Sequence, residues 1–83
     1  MRILYFASIR QKIGLAAEEV SPPPEVTTVG ALLEWLKGRD ARHAEALGDP
    51  RVVKVAVNQD FADPEMKVAE GDEVAFFPPV TGG

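Results

Sequence analysis

Apolar residues recur along this chain with two spacings, one typical of β-strands and the other of an amphipathic helix. Strand-like runs rich in β-branched and aromatic residues occupy 2–7, 52–57 and 73–77, and a weaker one occupies 16–20. The run over 2–7 is apolar enough that we expect a strand buried on both faces or nearly so. A turn is predicted at 58–60 from its Asn-Gln-Asp sequence. The pattern therefore predicts short strands separated by turns.

One segment has helical spacing along its whole length. Four apolar residues recur there at i, i+3, i+4 and i+7, namely Val29, Leu32, Leu33 and Leu36. Thr27 or Thr28 is the predicted N-cap, because a threonine hydroxyl accepts a hydrogen bond from a free amide of the first turn. Gly38 ends or weakens this helix, and a short helix is predicted over 40–47 before Pro50. The main helix would lay its apolar stripe on the sheet.

A third helix is predicted over 9–13, directly after the first strand. Ser8 and Gln11 have the spacing of a capping box, and Gly14 stands where a C-terminal cap is expected. The order strand, short helix, strand, main helix and further strands predicts an α+β fold. Because the first and last strands are the most apolar, we expect them to lie side by side and parallel in the centre of the sheet. This is the ubiquitin-like β-grasp layout, a mixed sheet packed by one main helix.

Length and composition narrow the classes of protein that this chain can be. With 83 residues, we expect a single domain over 1–83. The absence of cysteine excludes disulfides, a thiolate nucleophile and cysteine-ligated metals. Apolar runs are too short to cross a bilayer, and the first residues are too few for a secretion signal. We therefore expect no membrane partner and a cytoplasmic location.

The net charge is −4, and acidic residues are concentrated late in the chain. They are Asp60, Asp63, Glu65, Glu70, Asp72 and Glu73. This balance argues against a nucleic-acid partner, because nucleic acids are bound by cationic surfaces. Two interpretations remain open for these charges: they favour a partner with a basic face, or they only solvate loops and keep the protein in solution.

The last six residues, 78–83, differ in character from the strand before them. Pro78 and Pro79 lack amide donors and have a fixed φ, so they end the strand and give an extended exit. Fully extended, this segment reaches roughly 20 Å, which is enough for Gly82 and Gly83 to enter a pocket in another protein. The Gly83 carboxylate is a poor electrophile and must be activated, for example as an acyl-adenylate made from ATP. If the protein handles sulfur, a chain without cysteine can hold it only at this terminus.

The single histidine, the adjacent glutamates and the adjacent phenylalanines are further candidates for functional roles. His43, the only histidine, has no activating neighbour in the sequence and is predicted to lie on the surface of a helix. Glu18 and Glu19 are adjacent, so in a strand they point to opposite faces and are predicted to be solvated charges. Phe76 and Phe77 also point to opposite faces, so if one is in the core the other is outside. We predict that Phe77 is an exposed interface anchor.

Three segments resemble the MoaD family, the small subunit of molybdopterin synthase. They are ILYFASIR at 3–10, VAVNQ at 55–59 and, most specifically, GDEVAFFPPVTGG at 71–83. The resemblance covers the chain end to end and implies a sulfur carrier of molybdenum cofactor biosynthesis. It implies that a MoeB-like enzyme, related to those that activate ubiquitin, adenylates the Gly83 carboxylate with ATP, and that a sulfur donor converts it to a thiocarboxylate. The tail would then enter the active site of a MoaE-like large subunit in a heterotetramer, where its sulfur attacks cyclic pyranopterin monophosphate.

The resemblance also assigns the site residues. Those expected to face the partner are Phe6, Arg10, Phe61, Phe77, Pro78, Pro79, Val80 and Thr81, and those at the reactive end are Gly82 and Gly83. Acid, base and phosphate-binding groups are expected in the partner. This chain would then be a non-catalytic subunit with no metal or cofactor of its own, since the ATP is used by the activating enzyme.

Three other functions remain open on the sequence. A sulfur carrier for thiamine or another thio-cofactor shares the fold and the diglycine, but is not expected to carry the Phe-Phe-Pro-Pro-Val-Thr segment. A ubiquitin-like protein modifier would join Gly83 to lysines and form conjugates of higher mass. A purely structural binding module would keep its function when Gly82 and Gly83 are deleted.

Overall fold

The computed structural model describes residues 1–79. Five strands form one mixed sheet in the order β2-β1-β5-β3-β4. The strands are β1 Arg2–Tyr5, β2 Ala17–Glu19, β3 Lys54–Val57, β4 Asp60–Ala62 and β5 Glu73–Phe77. The helices are α1 Ala7–Ile13, α2 Val29–Lys37 and α3 Ala41–Leu47, and a 3₁₀ turn spans Pro50–Val52. In this described part of the chain, no helix has both the length and the apolar character that a bilayer crossing needs.

The first and last strands lie in the middle of the sheet, as predicted. β1 and β5 are parallel, in a register that runs from Arg2 opposite Glu73 to Tyr5 opposite Phe76. A parallel pair needs a long crossover connection, and here the rest of the chain provides it. β3 pairs with the other edge of β5 in antiparallel fashion, with Lys54 opposite Phe77. The mixed sheet with its packed helices confirms the predicted β-grasp layout.

The hydrophobic core lies between one face of the sheet and the helices. Four buried side chains of the two central strands form its floor: Ile3, Tyr5, Val74 and Phe76. Leu32 and Leu36 of α2 are fully buried against it, which confirms the predicted apolar stripe. The residues that alternate with these four therefore lie on the opposite, outer face of the sheet.

The start of α2 is capped as predicted. Thr28 is the N-cap, and its Oγ1 accepts a hydrogen bond from the Ala31 amide at 3.2 Å. The Gly30 amide donates to the Pro64 carbonyl at 2.9 Å. The loop that follows β4 is thus attached to the first turn of the main helix.

The first strand and first helix differ from their predictions in detail. The strand predicted over 2–7 ends at Tyr5, and only one of its faces is fully buried, because Arg2 is exposed and Leu4 half-buried. The capping box predicted at Ser8 is wrong. Ser8 lies inside α1, whose N-cap position is Phe6 and has no side-chain hydrogen bond. The chain turns out of β1 two residues earlier than the sequence pattern predicts.

The helix end and the last hairpin depend on backbone conformation. Gly14 is the predicted C-cap, with a φ of 87° and its amide donating to the Arg10 carbonyl at 2.8 Å. The strand predicted over 52–57 begins only at Lys54, since the chain before it is a 3₁₀ turn. β4 was not predicted. Asn58 and Gln59 both have positive φ and reverse the chain tightly enough for the next three residues to pair with β3.

Candidate partner interface around the C-terminal tail

The last described residues, Phe77, Pro78 and Pro79, form a segment that we call the tail root. β5 ends at Phe77, before the two prolines, as predicted. The tail root lies at the end of the sheet where β1 leads into α1, because the Phe6 amide donates to the Phe76 carbonyl at 3.1 Å. Four predicted site residues lie outside the described residues: Val80, Thr81, Gly82 and Gly83. The described part of the candidate site therefore ends at Pro79, directly before residues 80–83.

An apolar row crosses the outer face of the sheet, opposite the core. Strand register aligns one residue from each strand, namely Ala17, Leu4, Ala75, Ala56 and Phe61. The first four are half-buried, and Phe61 is 83% exposed. Apolar surface that is contiguous and uncovered is typical of a protein-binding face. The period-2 pattern contains this row, but strand register was needed to find it.

Phe61 and Phe77 form an aromatic pair on this outer face. Their ring centroids are 6.0 Å apart, with the planes tilted by 54°. Phe76 is fully buried and Phe77 half-buried, so the predicted division of the two phenylalanines between core and outer face is confirmed. Large aromatic side chains on an outer face suit a contact that excludes water. Their role as anchors stays a prediction.

Phe6 and Arg10 lie on the other side of the tail root. Phe6 is 47% exposed at the N-cap of α1, and Arg10, one helical turn later, is exposed. β1, which leads to Phe6, and β3, which leads towards Phe61, flank β5 on its two edges. The fold thus brings three distant segments around the tail root.

A buried polar cluster lies behind this surface and was missed by the sequence interpretation. His43 is only 4% exposed, so its predicted surface position is wrong. Its Nδ1 lies 2.8 Å from Asp40 Oδ1, and its Nε2 lies 2.7 Å from Glu18 Oε2. The Tyr5 hydroxyl donates to the same Glu18 oxygen at 2.7 Å. Glu18 is therefore a structural group, and not the solvated charge predicted, whereas Glu19 is exposed.

The cluster favours the charged form of its histidine. Two carboxylates face the two ring nitrogens, and a carboxylate only accepts, so both nitrogens are best satisfied as N–H donors. Burial alone would lower the pKa of His43, but its hydrogen bonds to Glu18 and Asp40 outweigh burial and raise it. For Glu18, burial acts to raise the pKa, but hydrogen bonds from His43 and Tyr5 lower it. Asp40 has a lowered pKa because it accepts the His43 amide and ring hydrogen bonds.

We expect the free energy of unfolding to be greatest between about pH 4.5 and 6.5 and to fall towards pH 9. The raised pKa of His43 gives stabilisation that is complete below about pH 6.5, its unfolded pKa, and is lost as pH rises through the folded pKa. The lowered pKa values of Glu18 and Asp40 give stabilisation that is lost as pH falls below about 4. Urea unfolding at several pH values, followed by Trp35 fluorescence, measures this profile.

His43→Gln is the matched variant for this profile. Its amide keeps a hydrogen-bond donor but does not titrate, so the fall between pH 6 and 9 should shrink, and the variant should lose about 1–3 kcal/mol at pH 6. Every other titratable group is retained in the variant, so the difference between the two profiles reports His43. An equal fall in both proteins would contradict the charged assignment.

The tail-root surface is suited to binding and to presenting the chain end. Its described side chains are aromatic, aliphatic or cationic, and the His43 cluster is occupied in internal hydrogen bonds. Within residues 1–79, no group of three histidine or acidic side chains is placed to hold a metal ion. The described surface therefore surrounds the tail root with apolar and cationic side chains that could contact a partner.

Proteins of known structure share this architecture over nearly their whole length. SAMP1 from Haloferax volcanii matches with a TM-score of 0.77 and 30% identity, covering 100% of this chain and 98% of that one. A putative molybdopterin converting factor subunit 1 from Pyrococcus furiosus matches with a TM-score of 0.76 and 31% identity, over 95% of both chains. A chain of the Helicobacter pylori complex of subunits 1 and 2 of molybdopterin-converting factor is 22% identical with a TM-score of 0.67, covering 99% of this chain and 96% of that one. At that identity it shows the fold alone.

Sequence comparison also gives matches over the whole chain. The molybdopterin synthase sulfur carrier subunit of Escherichia coli K12 is 41% identical over 83 residues, covering 100% of this chain and 99% of that protein. Residues 3–83 match the ThiS family. With a match of this extent, the chain belongs to the ThiS family, and its predicted resemblance to the sulfur carrier subunits of molybdopterin synthase is confirmed.

Proposed function

We propose that this chain is a sulfur carrier in molybdenum cofactor biosynthesis and acts as the small subunit of molybdopterin synthase. The observation that carries the proposal is the 41% identity over 83 residues to the Escherichia coli sulfur carrier subunit. The proposal treats 1–83 as one domain with the tail 78–83, and it places the protein in the cytoplasm. The chain binds no cofactor in this scheme.

The proposed chemistry takes place at Gly83. A carboxylate oxygen of Gly83 attacks the α-phosphorus of ATP in a MoeB-like activating enzyme, which forms the acyl-adenylate and releases pyrophosphate. Hydrosulfide as the sulfur donor attacks the acyl carbon and displaces AMP, which leaves the thiocarboxylate directly. A persulfide donor would give an acyl disulfide instead, and a thiol would then release the thiocarboxylate by forming a disulfide with the donor sulfur. The terminal sulfur finally attacks a carbon of cyclic pyranopterin monophosphate, and water cleaves the resulting thioester, which leaves the sulfur on the pterin and returns Gly83 as a carboxylate. Two such deliveries build the dithiolene. Each catalytic group in these steps belongs to a partner.

Two observations support a large subunit as the partner. The Helicobacter pylori fold relative comes from a complex of subunits 1 and 2 of molybdopterin-converting factor, and here an apolar row and two aromatic side chains border the tail root. From Pro79, the four residues 80–83 reach at most about 14 Å at about 3.4 Å per residue. A partner that binds Gly83 in its active site must therefore contact the surface around the tail root.

The charging reaction tests the proposal directly. Intact-mass analysis after incubation with ATP, a MoeB-like enzyme and a sulfur source should show one oxygen replaced by one sulfur. Addition of the large subunit and cyclic pyranopterin monophosphate should then return the mass to its starting value and yield molybdopterin. An unchanged mass, under conditions that charge the Escherichia coli subunit, would count against the proposal. Charging without molybdopterin formation would favour a carrier for thiamine or another thio-cofactor.

A second candidate function is protein modification. It is favoured by the likeness to SAMP1, the small archaeal modifier protein 1 of Haloferax volcanii, at 30% identity over the whole chain. In this reaction a lysine amine of a target would attack the activated Gly83 carbonyl and displace AMP. Antibodies against this chain should then detect conjugates of higher mass in cell extracts. A single band at the mass of the free chain would favour sulfur carriage alone.

A further inference from the structure

Lys54 stands out on the outer face of the sheet because it is a cation within the apolar surface at the tail root. It is exposed, begins β3 and pairs in register with Phe77 of β5. It also borders a shallow cavity of about 450 Å³ whose lining residues are Lys54, Val55, Phe61, Ala62, Phe77 and Pro79. The Lys54 side chain thus shares one depression with the aromatic pair and with the last described residue before the tail.

The ammonium of Lys54 has no carboxylate within 4.0 Å among the described residues. Asp63 directly follows β4, whose last residue, Ala62, pairs with Val55 of β3. Asp63 Oδ1 instead accepts the Glu65 amide at 2.9 Å and so shapes its own loop. Lys54 therefore relies on water for its hydrogen bonds while the surface is uncovered.

A partner that covers this cavity would remove water from the Lys54 ammonium. Whatever binds residues 80–83 must contact the surface around Pro79, and Pro79 and Lys54 line the same cavity. β3 is an interior strand, with β5 on one side and β4 on the other, so Lys54 does not lie on an edge strand of the sheet. Removing the Lys54 ammonium from water at this apolar surface costs free energy, and an acid of the covering surface that pairs with it offsets much of that cost. A covering surface that places a carboxylate there is therefore favoured over an apolar or basic one.

We propose that Lys54 forms an ion pair with an acidic side chain of the large subunit and thereby helps to specify that subunit as the partner. This inference rests on the proposed function, because it takes the large subunit as the protein that covers the tail root. A charge that is satisfied only by the correct partner improves specificity, since an apolar or basic surface would leave it buried and unpaired. The local requirement for an acid differs from the overall charge of −4, which by itself favours a basic partner.

Binding of the full chain to the purified large subunit, measured by calorimetry at low and high salt, tests this pair. Lys54→Glu should weaken binding by at least about tenfold, because it places two carboxylates together, whereas Lys54→Arg should stay within about threefold. Lys54→Ala should bind more weakly than the unmodified chain and show a smaller salt dependence. Thermal unfolding should be unchanged in all three, since the side chain is exposed.

Lys67→Glu is the matched control. It makes the same charge change at an exposed lysine whose neighbour Val68 lines a separate groove with Met1, at the other end of the sheet. It should bind as the unmodified chain does. If Lys54→Glu binds as well as Lys67→Glu, the ion pair is overturned while the proposed function stands. If the unmodified chain charges with sulfur but does not bind the large subunit, the proposed partner fails and this inference fails with it.

Discussion

Removal of Gly82 and Gly83 should abolish molybdopterin formation while the free energy of unfolding stays the same. The proposed reaction takes place at the Gly83 carbonyl, and truncation at Thr81 both removes that atom and shortens the reach of the tail by about 7 Å. The buried core runs from Ile3 to Phe76, so it loses nothing. We expect no detectable thiocarboxylate and no product above background, together with an unchanged urea midpoint.

Two controls make this result specific. The truncated chain should still bind the large subunit, because the apolar row and the aromatic pair remain. It should compete with the full chain and inhibit the reaction. A chain amidated at Gly83 should behave like the truncated one, because an amide oxygen does not attack ATP as a carboxylate does. Product formation by either chain would contradict the proposed role of the terminus.

Phe76→Ala should cost about 3–5 kcal/mol of the free energy of unfolding. Phe76 is 0% exposed, and its ring stacks on Tyr5 with centroids 6.2 Å apart. The substitution leaves a cavity in the two central strands, where little relaxation is available. For a domain near the lower end of the usual range of about 5–15 kcal/mol, this loss leaves at most about 2 kcal/mol, so a substantial fraction of molecules would be unfolded. Urea unfolding followed by Trp35 fluorescence measures the change.

Phe61→Ala is the matched control, because it deletes the same ring from a site that is 83% exposed. Its free energy of unfolding should change by no more than about 0.5 kcal/mol. Equal losses for Phe61→Ala and Phe76→Ala would contradict the assignment of these rings to outer surface and core. The comparison also separates stability from binding, since Phe61 faces the proposed partner.

Much of the fold follows from local pattern. The stripe from Val29 to Leu36 and the Thr28 cap predicted α2, and the prolines after Phe77 predicted the end of β5. β4 was missed because three residues carry little strand signal and because Phe61 is exposed. The turn at Asn58 and Gln59 was recognised, but positive φ at both residues, which creates the hairpin, is not visible in their types alone.

The His43 cluster shows why some contacts in the fold could not be predicted from the sequence. Glu18 and His43 are 25 positions apart, so no spacing in the sequence links them, and the contact arises only when α3 packs beside the sheet. The position of Lys54 beside the tail root could not be predicted from the sequence either. It follows from the strand register, which pairs Lys54 with Phe77, and from the cavity that Lys54 lines together with Phe61 and Pro79.

Local pattern was enough to predict the β-grasp layout and the division of Phe76 and Phe77 between two faces, and it includes the diglycine and the two prolines. These are properties of neighbouring residues, which periodicity and backbone sterics decide. Contacts between distant side chains are visible only in the folded chain: the buried His43 cluster, the apolar row across five strands and the cation beside the tail root. Such contacts depend on strand register and helix packing, which bring together residues that the chain itself keeps far apart.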